Sequence, residues 1–278
     1  MALSTIKRRI GSADPSCNVM RESIIDISKY DIVDDNIPYG FEGYTILQIS
    51  DLHNELFGEN QCELVNRIKS AKPDVIFITG DIIYKKTGEG GNALLLIRQV
   101  TDFVPVYFVS GNHDWESGCY DELSAHMREC GVKILDNRFE KVSRGDEYIY
   151  ILGVDDRQRY AKGSRDKGYE DFKKSVAELM AEMPKEGYKI MLCHRPEMFP
   201  LLSSYDIDLV FAGHAHGGQV RLPHIPGLFA PGQGLLPKYT AGIYEESGSR
   251  MVVSRGLGNN TIMPRINNDP EIVTVKLM

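Results

Sequence analysis

No stretch of the chain reaches the roughly 18 consecutive apolar residues that a membrane span requires, so the sequence reads as that of a soluble protein. Lys7-Arg8-Arg9 could open a targeting signal, but Ile10-Gly11-Ser12-Ala13-Asp14-Pro15 follows where such a signal needs an apolar segment. The cysteines are few and poorly placed. Cys17, Cys62, Cys119, Cys130 and Cys193 are an odd, scattered set without a C-x-x-C pair, which suggests neither a disulfide framework nor a thiolate zinc site and favours a reducing cytoplasm. Positive charge is also in short supply. With 32 basic against 39 acidic residues the net charge is −7, which argues against nucleic acid as a partner, although a local metal centre would still attract phosphate. The chain lacks internal repeats, low-complexity tracts and Pro/Ser linkers, so its 278 residues are expected to form one large domain around a core drawn from 42% hydrophobic content.

What the sequence does contain is a regular alternation of apolar runs and helix-like stretches. Residues 1 to about 21 read as a loose polar arm and Ile24 to Val33 as a strand, so residues 1–40 precede a body of residues 41–278. Tyr44 to Ser50, Asp74 to Thr79 and Val104 to Ser110 are rich in Ile, Val, Phe and Tyr, as strands buried on both faces are. Between them, Glu59 to Ser70 and Ala93 to Thr101 read as helices. The polar cluster after each run recurs about every 30 residues, the length of one βαβ unit. Right-handed crossovers then bring Asp51, His53, Asp81 and Asn112 to the crevice outside the carboxyl ends of a parallel sheet. Beyond a helix at Asp121 to Cys130, Lys133 to Val154 is expected to start a second sheet with a hairpin at Ser143-Arg144-Gly145-Asp146. Tyr188 to Cys193, Asp208 to Ala212, Gln219 to Leu222, Thr240 to Glu245, Arg250 to Ser254 and Glu271 to Leu277 continue in β style. The fold class is therefore α/β, with two facing sheets flanked by helices. Two insertions stand out, the charged Asp156 to Glu170 and the apolar, Gly/Pro-rich Leu222 to Lys238.

The polar clusters carry metal-binding chemistry. Asp, Asn and His are the oxygen and nitrogen ligands that suit Mn, Fe or Zn. Asp51 and His53 lie two apart, where an extended backbone sends both to one ion. Gly80-Asp81 offers a carboxylate whose two oxygens can bridge two cations. Gly111-Asn112-His113-Asp114 joins an unusual amide ligand to an imidazole with a carboxylate beside it to orient the ring. His194 ends a buried run, and Gly213-His214-Ala215-His216-Gly217-Gly218 flanks two histidines with glycines that allow close backbone approach. Taken one at a time, each cluster has an ordinary reading as a turn; five at one predicted sheet edge point to a dinuclear hydrolase.

This series, Asp-x-His, Gly-Asp, Gly-Asn-His-Asp, His and Gly-His-x-His, resembles the calcineurin-like metallophosphoesterases over roughly Tyr44 to Met278. The extended run from Gly213 to Pro223, with Ala230-Pro231-Gly232-Gln233-Gly234 and Ser254-Arg255-Gly256-Leu257-Gly258, is similar to a bacterial branch that includes membrane-associated phosphoesterases and UDP-diacylglucosamine diphosphatases. The resemblance implies a four-layer α/β/β/α sandwich. It implies one ion on Asp51, His53, Asp81 and His216 and a second on Asp81, Asn112, His194 and His214, with Asp81 bridging. A hydroxide shared by ions about 3.5–4 Å apart would attack phosphorus in line with the leaving group. His113 would protonate the leaving oxygen or stabilise charge, Asp114 would orient His113, and Arg195 and Arg221 would contact phosphate oxygens. The expected substrate is a small-molecule or lipid-linked phosphodiester, pyrophosphate or phosphomonoester. Leu222 to Ala230 would form either a pocket for a lipid or aromatic leaving group or a loop folded on its own core. Peripheral membrane contact is compatible with the first of these, and no partner protein is implied. Two rival functions share the ligands: a metal-binding scaffold without turnover, and a dinuclear amide hydrolase.

Overall fold

The computed structural model describes residues 25–85, 90–160, 165–259 and 263–278. The loose arm expected at the amino terminus lies outside them. The first half of the chain contributes strands β1 (Asp26–Ile32), β2 (Thr45–Ile49), β3 (Val75–Thr79), β4 (Val106–Val109) and β5 (Lys133–Ile134). The second half contributes β6 (Arg138–Arg144), β7 (Glu147–Gly153), β8 (Tyr188–Leu192), β9 (Leu209–Ala212), β10 (Phe229–Ala230), β11 (Gly234–Leu235), β12 (Gly242–Glu246), β13 (Ser249–Val253) and β14 (Glu271–Leu277). The helices are α1 (Cys62–Ala71), α2 (Gly91–Val100), α3 (Asn112–Glu116), α4 (Tyr120–Glu129), α5 (Arg165–Glu182) and α6 (Phe199–Leu202).

Two six-stranded sheets result, ordered β1-β14-β2-β3-β4-β5 and β12-β13-β9-β8-β7-β6. In the first, β2 to β5 run parallel and β14 pairs antiparallel with β2. In the second, β7, β8, β9 and β13 run parallel, with β6 and β12 antiparallel at the edges. β1 pairs with β14 along its whole length, so the strand ahead of the body is an edge of the first sheet.

The apolar runs carry no polar alternation because both faces of these strands are covered. In β3, Val75 and Phe77 face the second sheet, where they join Ile151, Ile190, Leu209, Phe211 and Val252. Ile76 and Ile78 point the other way, onto Leu64 and Ile68 of α1 and Leu96 and Ile97 of α2. The second sheet repeats the scheme: Leu152, Met191 and Val210 meet Phe172, Val176 and Leu179, which recur at helical spacing along α5. Each such side chain contributes about 1.5–3 kcal/mol when fully buried. The layers are α/β/β/α, as the resemblance implies.

Three readings of the sequence change. Lys133–Ile134 completes the first sheet by pairing with β4, and the second sheet begins only at Arg138. Gln219 to Leu222 is not a strand; isolated bridges join Val220 to Ile266 and Leu222 to Ile225. Cys62 is disulfide-bonded, which the scattered cysteines did not suggest.

Candidate metal centre

Asp51, Asp81 and Asn112 follow β2, β3 and β4, while His194 and His214 follow β8 and β9, so the carboxyl ends of both parallel stretches supply the centre. Two cross-sheet bonds hold these ends together. Gln48 Nε2 donates to the Ala212 carbonyl at 2.8 Å, and His194 Nδ1 lies 2.7 Å from the Thr79 carbonyl. The second contact assigns the His194 proton to Nδ1 and turns Nε2 inward, which is how a metal-ligating imidazole is usually oriented.

Two groups emerge, Asp51 with His53 and His216, and Asp81 with His194 and His214; within each, ligand atoms lie within 4.8 Å of one another and every residue is buried. Each carboxylate has spent one oxygen on the surrounding chain. Asp51 Oδ2 accepts from Ser50 Oγ at 2.6 Å and from the His214 amide at 3.0 Å, and Asp81 Oδ1 accepts from the His113 amide at 2.7 Å. Asp51 Oδ1, Asp81 Oδ2, Asn112 Oδ1 and His194 Nε2 remain buried without a hydrogen bond. Asp81 Oδ2 lies between the groups, 3.3 Å from His194 Nε2 and 3.9 Å from His53 Nε2. The oxygen of Asp81 that lacks a hydrogen bond thus faces both groups.

The backbone is unusual here. Asp51, His53, Asp81, His214 and His216 all have φ between 46° and 63°, a left-handed conformation that costs non-glycine residues of order 1–3 kcal/mol each and clusters at functional sites. Asp51 and His53 therefore reach one side through a left-handed turn and not by strand alternation. The turns also need glycine beside them. A Cβ on Gly111 would overlap Asp81 Oδ1, and one on Gly213 would overlap Ser50 Oγ.

Electrostatics make this a site for cations. Burial pushes the Asp51 carboxyl up to about 6 and the His53 ring down to about 3. Burial also works to raise Asp81, yet His194, followed by His53 and His113, holds it well below the usual carboxylate range. Burial works against charge on His194, but Asp81 raises that ring to about 10. His214 and His216 are driven well below their ordinary value by burial first. Buried carboxylates with unbonded oxygens, beside the His53, His214 and His216 rings that burial keeps neutral, are stabilised when cations pair with them. The donor set of two carboxylates, one amide and four imidazoles fits two divalent ions of the Mn, Fe or Zn type.

Residues 44–218 match the calcineurin-like phosphoesterase family. The chain belongs to this family. A metallophosphoesterase of Bacillus subtilis, itself uncharacterised, is 29% identical over 262 residues, covering 91% of this chain and 86% of the relative. Among solved structures, a phosphopantetheinyl hydrolase of Mycobacterium tuberculosis shares the fold with a TM-score of 0.53 at 13% identity, over 77% of this chain and 89% of that one. A dimetal phosphatase of Danio rerio does so with a TM-score of 0.50 at 12% identity, over 77% and 88% respectively. As a member of the calcineurin-like phosphoesterases, the protein is a metal-dependent phosphoric ester hydrolase acting on a small phosphate ester. No helix among the described residues is long and apolar enough to cross a membrane.

The remaining candidate residues distribute unevenly around this phosphoesterase centre. His113 stands at its mouth, with its ring 5.1 Å from that of His53 and 5.0 Å from that of Tyr84, and its Nδ1 3.9 Å from Glu116. Asp114 is committed elsewhere than to orienting His113. Its Oδ2 accepts the amides of Asp81 and Gly111, each at 2.8 Å, and its Oδ1 accepts that of Ile83 at 3.2 Å. Arg195 is buried: Nε and Nη2 grip Asp156 at 2.6 and 3.2 Å, and Nη1 lies 2.9 Å from His214 Nε2. It walls a cleft of about 190 Å³ that opens beside Asn112 and His214. Arg221 is not part of that wall and instead donates to the Gly217 carbonyl at 3.3 Å.

Sequence reasoning missed Arg157 and Gln158, which also line the cleft, and Arg265, whose Nη2 reaches His216 Nδ1 at 3.2 Å and three nearby carbonyls. A lone arginine carries no spacing signal that would single it out. Ser254-Arg255-Gly256-Leu257-Gly258 now has a structural role: the amides of Leu257 and Gly258 bond the carbonyls of Ser50 and Asp51 at 3.0 and 2.6 Å, fixing the first ligand turn from behind. In the apolar loop, Leu222 stays exposed while Gly227 and Ala230 are buried, and only Pro231 and Gly232 beyond it reach the cleft.

Proposed function

We propose that the protein hydrolyses a phosphodiester or pyrophosphate bond in a nucleotide- or lipid-linked small molecule, with phosphomonoesters next in preference, in the cytoplasm or at its membrane face. The observation that carries the metal assignment is the placement of Asp81 Oδ2 between two buried ligand groups. Asp51, His53, Asp81 and His216 are the ligands of one ion, and Asp81, Asn112, His194 and His214 those of the other. Two such ions supply Lewis-acid stabilisation of phosphoryl charge and a water of lowered pKa.

The chain's own residues do the rest. His113, at the mouth, donates a proton to the departing oxygen. Arg195 supports His214 and presents a fixed positive charge in the cleft wall. Arg157 and Gln158 face the same space. A polar cleft of about 190 Å³ suits a second phosphoryl group or a compact polar fragment, while a nucleoside or acyl chain would extend past Pro231 and Gly232 into solvent. That size and lining support the diester and pyrophosphate choice over a bulky apolar leaving group.

Metal-stripped protein refilled with Mn is expected to hydrolyse bis(p-nitrophenyl) phosphate with higher kcat/KM than p-nitrophenyl phosphate. Absence of turnover with two ions bound would reject the reading. A preference for the monoester would reverse the substrate order. His113→Ala should retain both ions and lose about 10²–10⁴ in kcat on an alkyl phosphodiester, with a much smaller loss on a p-nitrophenyl ester that leaves without protonation. Equal losses on both substrates would remove the acid role.

A further inference from the structure

Against Trp115 of α3, with no metal ligand in its lining, lies a separate, larger cavity of about 540 Å³, within the usual size range of small-ligand sites. Its walls come from α3 and α4, from the end of the first sheet and from the turn at 157–160. Three arginines from three different elements, Arg128, Arg138 and Arg159, line it together with Trp115 and Tyr120. In a chain of net charge −7, such a convergence runs against the general surface.

Two aspartates share the lining, the exposed Asp121 and the half-buried Asp136. Asp136 accepts the Ser110 amide at 3.3 Å and the Tyr120 hydroxyl, and Asp155 accepts Asn137 Nδ2 at 2.9 Å and pairs with Arg159. Arg128 donates to Ser124 Oγ at 3.1 Å, and among the described residues no carboxylate lies within ion-pair distance of Arg128 or Arg138. Two guanidiniums outside any ion pair therefore face one polar concavity and, with Arg159, outnumber its two aspartates, a geometry that suits bidentate contacts to phosphate oxygens. Trp115 is packed at 4.2 Å on Tyr120 and carries Arg159 at 5.1 Å over its ring, leaving an aromatic wall beside the cations.

We propose that this cavity is a second anion-binding site, distinct from the metal centre, for a small phosphorylated molecule. The same turn that sends Arg159 into this cavity sends Arg157 and Gln158 into the catalytic cleft, so a ligand here rests on an element of the active site.

Trp115 is the single tryptophan of the chain and lines the cavity, so its emission reports on occupancy. The Mn-loaded protein is titrated with methylenediphosphonate and, separately, with AMP, each followed by tryptophan emission and by calorimetry. A saturable response is expected with at least one probe, and which of them binds tells a bare diphosphate site from one that also takes a nucleoside. The double variant Arg128→Ala/Arg138→Ala should weaken that binding about tenfold or more while its KM for bis(p-nitrophenyl) phosphate stays within about twofold of the parent. Binding of undiminished strength in the double variant would place the probe in the catalytic cleft and overturn the proposal. So would the absence of saturable binding by both probes.

Discussion

Asp81→Asn lowers Mn-dependent hydrolysis of bis(p-nitrophenyl) phosphate by about 10²–10³ or more, the scale of loss when one preorganised charge-stabilising group is removed. The reason lies in which oxygen is spent. Oδ1 holds the His113 amide at 2.7 Å, and an asparagine carbonyl can keep that bond. Oδ2, between His194 and His53, would become an N–H group directed at the cations it must attract. The fold should therefore survive while metal content falls from two ions per chain to one or fewer, read by elemental analysis beside the kinetics. Full turnover with two ions bound would show that Asp81 does not bridge.

Asp114→Ala has its largest effect on stability rather than on proton transfer. The carboxylate is buried and satisfies the amides of Asp81, Gly111 and Ile83. Burial and the neighbouring Asp81 push its pKa up to about 8, so the native site accepts an electrostatic cost to keep these contacts. Truncation leaves three amides unpaired at about 1–3 kcal/mol each, on the order of 4 kcal/mol together. For a chain of this size that corresponds to a fall in Tm of roughly 10 °C. The metal turn after β3 loses its anchor as well, so ion affinity should drop with it. An unchanged Tm with a loss confined to poor leaving groups would return Asp114 to the role of orienting His113.

The contrast between these two residues shows how far the sequence could be read. Six of the seven predicted metal ligands fall in two buried groups, and Asn112 lines the cleft with His214, because fully apolar runs report strands covered on both faces and parallel strands share one carboxyl edge. For Asp114, adjacency to His113 in sequence suggests a contact, whereas its carboxyl oxygens accept the amides of Asp81, Gly111 and Ile83. On a helix such as α3, consecutive side chains diverge by about 100°, so His113 opens to the mouth while Asp114 turns inward. Asp51 and His53 reach their predicted places by left-handed turns that no residue pattern announces. Arg157, Gln158 and Arg265 act from irregular segments whose position depends on the whole fold.

Each ligand group draws on both halves of the chain, with Asp51 and His53 meeting His216, and Asp81 meeting His194 and His214. A break in the β6–β7 hairpin, at the exposed Gly145, would part the aspartates from their histidine partners and leave each fragment with an incomplete set. Neither piece alone could hold both ions, whereas reassembly of the two sheets would restore every ligand. The architecture thus makes phosphoesterase activity a direct readout of fragment complementation, a property that a site built within one half of the chain would not have.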